Sequence, residues 1–356
     1  MVRYSDIIKD SVKKKDEDGT KDLTDPKKTD ASLRFSAIKE FSTSSELAAL
    51  PAEKDTEYME QLCATIVDYL KKVQGLVKND EPFDIKQAVD TVAHIVNTPD
   101  LVEKFYQATI LSKNDNEDYL TYHLIKVMVY ALKVGAGLKY SRKKLLELGL
   151  AALFYDIGLF KMPEKITEKR GTLTDAELDI IKKHAEIGGD ILSRFQTEHP
   201  MLPRVAREHH ERENGSGYPA QLEGNEICEY AKIMGLVDTF DAMIHNRPYR
   251  KALAQHFSVK ELVGSKNFLF SSKIIKAFLD EMGVFPVGSY VRLNNSEIGK
   301  VIATSKDHPL KPTIKITFNG HGNKASGKNV INLEEHPILY VTAAVSEEEL
   351  PSNQIV

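Results

Sequence analysis

The sequence predicts a mainly α-helical protein with an N-terminal helical region and a small C-terminal antiparallel β unit. Three observations carry that expectation. Apolar residues recur at helical spacing from about residue 34, residues 145–157 (LLELGLAALFYDI) are apolar on nearly every face, and after Gly283 short β-branched runs take over. With 356 residues, the chain is long enough for two or three domains that each bury a core.

Residues 1–33 open the chain, and their stretch from 10 onward is charged and nearly free of large apolar side chains, which predicts a disordered tail or tether. Residues 34–109 form the N-terminal helical region. There Met59, Leu62, Ile66, Tyr69, Leu70 and Val73 mark one amphipathic helix, and 84–112 read as shorter helices broken near Pro99. Residues 110–283 are strongly helical. Thr174 and Glu177 make a capping box that starts a helix running through His184, and the helix over 145–157 should be buried all round. Residues 284–345 hold four expected strands (VGSYVRL, IGKVIAT, PTIKITF and PILYVTA), and 346–356 form a tail.

Composition narrows the function classes. A net charge of -4 gives no electrostatic reason to expect nucleic acid, and the one basic cluster, Lys139 to Lys144, reads as a solvated helix start. No run of 18 apolar residues is present, so no membrane span is expected, and the first residues lack the apolar core of a secretion signal. Two cysteines, Cys63 and Cys228, cannot build a disulfide framework, which fits a reducing cytoplasm.

The chemistry-bearing residues are polar groups planted in apolar helices. Asp156 closes the apolar helix over 145–157, and an unpaired carboxylate there would cost several kcal/mol. It needs either a cation or backbone donors at the helix end. His184 shares a helix face with Leu178 and Ile181, as a core histidine or a ligand. His209 and His210 are adjacent, as a surface pair or two ligands to one metal. His123 lies on the apolar face of TYHLIKVMVYALKVG, and Asp238 sits within AKIMGLVDTFDAM. One shared cation cluster is the economical explanation of all five sites, since imidazole and carboxylate suit Fe, Mn, Zn or Ni.

The order His123, Asp156, His184, His209-His210 and Asp238 resembles an HD-GYP domain, the HD-type helical bundle of cyclic di-GMP phosphodiesterases. So do HHERENGSGYP, with Gly217, Tyr218 and Pro219, and the segment ending Arg247, Tyr249 and Arg250. The C-terminal run beginning FPVGSYVRLNNSEIGKVI is similar to an appendage of such proteins, and the likeness covers about 110–345. The resemblance implies two divalent metals, with Fe or Mn favoured, that share Asp156 at the reacting centre. One would be held by Asp156, His184, His209 and His210, the other by His123, Asp156 and Asp238. A hydroxide between them would attack the phosphodiester. Arg247, Arg250 and the Gly217, Tyr218, Pro219 loop would contact a cyclic dinucleotide. The same loop is the expected seat of a signalling protein, and a homodimer is a further expectation.

Three departures from the family pattern stand out. Tyr155-Asp156 replaces its His-Asp pair, Leu159 replaces the lysine that follows, and Tyr119 stands where three-metal members carry glutamate. One robust and one weakened metal position are therefore expected. A phosphodiesterase yielding pGpG or GMP is the leading function. The alternatives are a catalytically degenerate member acting as cyclic-dinucleotide sensor or protein adaptor, and di-iron oxygen chemistry on the same scaffold, against which the GYP segment argues. Gly322 to Lys328 mimic a phosphate-binding loop, but Asn329 stands in place of Ser or Thr and a β unit follows rather than a helix.

Overall fold

In the computed structural model the described residues are 53–98, 100–111, 119–169, 171–244, 255–264, 269–305, 307–325 and 329–351. The expected tail over 1–33, the break at Pro99, and Arg247, Tyr249 and Arg250 lie outside them. The first amphipathic pattern becomes α1 (Glu53–Lys78), which buries Met59, Ile66, Tyr69, Leu70 and Val73. α2 (Lys86–Asn97) and α3 (Leu101–Leu111) follow. These helices share their core with the rest of the helical part: one apolar cluster runs from Met59 to Val287.

Two buried helices form its centre, α4 (Tyr119–Gly137) and α5 (Arg142–Phe154). The Ser141 hydroxyl caps α5, and the basic residues behind it are exposed, as a solvated helix start requires. At its other end α5 stops before Tyr155 and passes into a 3-10 turn over Ile157–Lys161. That stop places Asp156 at a helix end with its side chain inside the core.

A short helix α6 (Glu164–Thr167) leads to α7 (Asp175–Lys182), whose capping box joins Thr174 and Glu177 as expected. The helix does not run through His184. It breaks at Lys183, and His184 opens a new helix, α8 (His184–Leu192). His184 is still buried with Leu178 and Ile181, as their shared spacing predicts. α9 (Met201–Glu208) ends at His209. α10 (Glu229–Ile244) is buried on most faces, and α11 (Gln255–Gly264) and α12 (Ser272–Met282) complete the helical part.

The C-terminal unit is one antiparallel sheet in the order β4-β3-β2-β1-β5, built from β1 (Tyr290–Leu293), β2 (Ile298–Ala303), β3 (Thr313–Phe318), β4 (Val330–Asn332) and β5 (Val341–Val345). Three of the four expected runs become β1, β2 and β3. The fourth starts pairing only at Val341, because Pro337 and the turns around it occupy the first half of PILYVTA. β4 was not expected. Three residues are too few to show an alternating pattern, and pairing with β3 creates the strand. Residues 326–328 of the Gly-rich segment lie outside the described ones, and its flanks join two strands rather than a strand and a helix.

Candidate metal centre

Five elements deliver the donors to one place. Asp156 comes from the end of α5, His184 from the start of α8, His209 and His210 from the end of α9, His123 from the second turn of α4 and Asp238 from the middle of α10. All six side chains are buried. They form two donor groups that share Asp156: Asp156, His184, His209 and His210, and His123, Asp156 and Asp238.

In the first group each imidazole is oriented by its own chain. Nδ1 of His184 lies 2.6 Å from the Ile181 carbonyl, and Nδ1 of His209 lies 2.9 Å from the Ala206 carbonyl. Both carbonyls stand at helix ends, where acceptors are left over. A neutral ring that donates through Nδ1 keeps a lone pair on Nε2. Those two Nε2 atoms face each other at 3.2 Å, and Asp156 Oδ1 lies 3.1 Å from one and 3.2 Å from the other. Asp156 Oδ1 forms no hydrogen bond, and neither does the buried Nδ1 of His210. Lone pairs converging at this spacing repel unless a cation sits among them. Ligands about 2.1 Å from one ion, at right angles, lie roughly 3 Å apart. The first group therefore fits a divalent metal on orphaned acceptors and on donor chemistry alike.

Burial and the neighbouring groups set the electrostatics of the first group. Burial opposes the charge of Asp156, but the His184 and His209 imidazoles override it and hold the carboxyl well below the usual carboxylate range. Burial pushes His184 down, and Asp156 outweighs it and raises it. His210 is held well below the ordinary histidine value by burial and by the His209 and His184 rings beside it. It stays a neutral donor.

The second group is arranged differently. His123 Nδ1 lies 2.6 Å from Asp241 Oδ2, and its Nε2 lies 2.9 Å from Asp238 Oδ1. The Tyr155 hydroxyl stands 2.8 Å from that Nε2 and donates to Asp238 Oδ1 at 3.1 Å. Burial, followed by the Asp156 and Asp238 carboxylates, raises the Tyr155 phenol well above its ordinary value, so it remains protonated. Burial lowers His123, but Tyr119 and the hydrogen bonds to Asp238 and Asp241 leave it raised overall. The Tyr119 ring stacks on His123 with centroids 5.7 Å apart.

The Gly217, Tyr218, Pro219 loop covers the first group. Tyr218 stacks on His210 at 4.6 Å between centroids, and Pro219 is exposed at the rim. Gly217 packs so tightly on the preceding chain that a Cβ would meet the Glu211 Cα at 2.4 Å and the His210 oxygen at 2.5 Å. Side chains not singled out from the sequence hold this arrangement. Glu211 accepts hydrogen bonds from the backbone of Ala220 at 2.7 Å and Leu222 at 3.0 Å, and Arg212 donates to the carbonyls of His209 and Glu211. Lys182 places its ammonium 5.8 Å from the Tyr218 ring centroid. Asp241 could have been found, since it lies three residues after Asp238 on the same face of an apolar helix. Leu159 is half-buried, and Lys161 pairs with Asp80 at 2.6 Å.

Comparison with known proteins agrees with this architecture. Residues 106–269 match the model of the HD domain, and residues 290–353 match a KOW domain associated with HD domains. The chain is 28% identical over 256 residues to the cyclic di-GMP phosphodiesterase PA4108 of Pseudomonas aeruginosa, an alignment covering 69% of this chain and 61% of that one. It is 30% identical over 166 residues to 3'3'-cGAMP-specific phosphodiesterase 2 of Vibrio cholerae, covering 46% and 31%. Among solved structures, the HDG"Y"P protein Bd1817 of Bdellovibrio bacteriovorus superposes with a TM-score of 0.52 at 15% identity, over 67% of this chain and 74% of that one; it bears on the fold alone. The chain thus spans about three fifths of the Pseudomonas relative. An HD domain implies a divalent metal, and the buried histidine and aspartate cluster is where this one could hold it. No helix among the described residues is long and apolar enough to cross a membrane. The chain carries an HD domain over residues 106–269, in which Tyr155-Asp156 stands in place of the motif's His-Asp, and an HD-associated KOW domain over 290–353.

Proposed function

We propose that this protein is a metal-dependent phosphodiesterase that hydrolyses a cyclic dinucleotide, cyclic di-GMP first among them, to pGpG or GMP. The observation that carries it is the convergence of Asp156 Oδ1 with the Nε2 atoms of His184 and His209, beside an unpaired His210 Nδ1. A divalent ion held there, Fe or Mn by donor type, supplies Lewis acidity and a water acidic enough to attack a phosphodiester near neutral pH. The chain does the rest. The Ile181 and Ala206 carbonyls fix the tautomers of His184 and His209, and Asp156 provides the negative charge. Tyr218 and the loop tied down by Glu211 wall the substrate side, where a nucleobase or ribose can lie against the ring. Arg247 and Arg250 belong to this reading as phosphate contacts. In a binuclear form, His123, Asp156 and Asp238 would hold a second cation, which would add Lewis acidity beside the first.

The test is to purify the protein without oxygen, quantify its metals and follow cyclic di-GMP and 3'3'-cGAMP by chromatography. Steady formation of linear dinucleotide supports the proposal. Metal-loaded protein that turns over no cyclic dinucleotide sinks it.

A second reading has its own support. The motif histidine is a phenol, the lysine position is Leu159, and Lys161 is tied to Asp80. A member so altered can serve as a cyclic-dinucleotide sensor or a protein adaptor that keeps its metal for structure. Tight binding without hydrolysis favours the sensor, and no binding favours the adaptor.

A further inference from the structure

The two donor groups differ in a way that their spacing hides. In both, the donor atoms lie within 4.8 Å of one another, close enough to share one ion. In the first group the Nδ1 atoms of His184 and His209 face backbone carbonyls, their Nε2 atoms meet at 3.2 Å beside Asp156 Oδ1, and neither Asp156 Oδ1 nor Nδ1 of His210 makes a hydrogen bond. In the second group a fourth side chain, the Tyr155 hydroxyl, stands among the donors. Asp241, His123, Tyr155 and Asp238 form a closed chain of contacts at 2.6, 2.8 and 3.1 Å, with a further contact of 2.9 Å between His123 and Asp238. The phenol oxygen touches two of the three donors that would have to hold a cation. It is also locked there: Tyr155 is 0% exposed, and its ring packs edge-on against His209 with centroids 4.9 Å apart. A metal at this position must break a satisfied buried network and expel or deprotonate the phenol, whereas a metal at the first position relieves orphaned acceptors.

We infer that this chain holds a single metal ion, at Asp156, His184, His209 and His210, and that Tyr155 seals the neighbouring position with its hydroxyl in place of a second metal. Hydrolysis then runs on a mononuclear centre. His123, Asp238 and Asp241 are structural neighbours of that centre, and Asp156 bridges nothing. The inference deepens the metal-dependent reading above and rests on its metal, but not on turnover.

The experiment is a metal count. Full-length protein is purified without oxygen, reconstituted with Mn(II) and separately with Fe(II), desalted, and its metal per chain measured by elemental analysis. One ion per chain is expected for the wild type, none for His184→Ala, one for His123→Ala, and two for Tyr155→His, which restores an imidazole donor. Two ions in the wild type, with one lost in His123→Ala, overturn the inference. So does a visible tyrosinate-to-iron absorption in the oxidised iron form that Tyr155→Phe abolishes, since the phenol would then be a ligand. A folded Tyr155→His protein that still takes one ion overturns the sealing role. The wild-type count needs no variant and decides the matter even if a substitution fails to fold. Turnover with two ions keeps the phosphodiesterase reading and sinks this one, and one ion without turnover does the reverse.

Discussion

Gly158 lies face-on against the carbonyl of His184, so closely that a Cβ on Gly158 would stand 2.0 Å from that oxygen. The contact presses the 3-10 turn that follows Asp156 onto the first turn of α8. It is what brings Asp156 Oδ1 to 3.1 Å from His184 Nε2. The close approach is backbone on backbone, so no rotamer can relieve an added methyl. Gly158→Ala is expected to cost about 1–3 kcal/mol of stability, as overpacking does. Metal affinity should fall with it, because the turn and α8 must part. Chemical denaturation with and without metal checks both: the metal-dependent gain in stability should shrink in the variant.

Glu211 is expected to control the substrate side rather than the metal. Its carboxylate is 4% exposed and holds the backbone of Ala220 and Leu222. Glu211→Gln keeps the shape but turns one acceptor into a donor facing an N–H. A loss of about 1–3 kcal/mol in holding the loop follows. The apparent affinity for a cyclic dinucleotide should drop by roughly tenfold or more, with metal content unchanged. Calorimetric titration of metal-loaded wild type and variant measures this.

The capping box ahead of the metal helix gives a pH-dependent expectation. Thr174→Ala should cost about 1 kcal/mol. The Lys169 ammonium and the Thr174 N–H hold Glu177 down at about 2, against an ordinary value of 4.5. A depressed carboxyl stabilises the fold above its unfolded value and loses that contribution as pH falls through its folded value. The stability difference between wild type and Glu177→Gln should therefore be constant above about 4.5 and fade toward 2. Urea melts across that range measure it.

Lys161 is expected to be dispensable for catalysis. Its ammonium is bound to Asp80 at 2.6 Å and to the Lys78 carbonyl at 3.3 Å. Lys161→Ala should leave turnover, substrate affinity and metal content unchanged, and cost at most about 1 kcal/mol for a partly exposed pair. A large fall in kcat would show that this lysine swings inward to replace the one absent at Leu159.

How far the chain could be read follows from the range of the forces involved. Local chemistry was legible: the period of α1, the all-apolar α5, the capping box at Thr174 and the alternation of β1 to β3 are each written within a dozen residues. The six ligand candidates were legible too, because a histidine or aspartate in an apolar helix must find a partner there. The break at Lys183 was not, since nothing in α7 forbids continuing, and β4 exists only by pairing with β3.

The sequence by itself determined which residues are buried with charge to satisfy, and in what order they come. Only the tertiary structure decided how they are satisfied. Tyr155 and His123 are separated by 32 residues and Tyr155 and Asp238 by 83, so no periodicity could place that phenol between them. The packing of α4, α5 and α10 around one core puts it there. The hydrogen bonds that result set the phenol among the donors of one group and leave the other group without it.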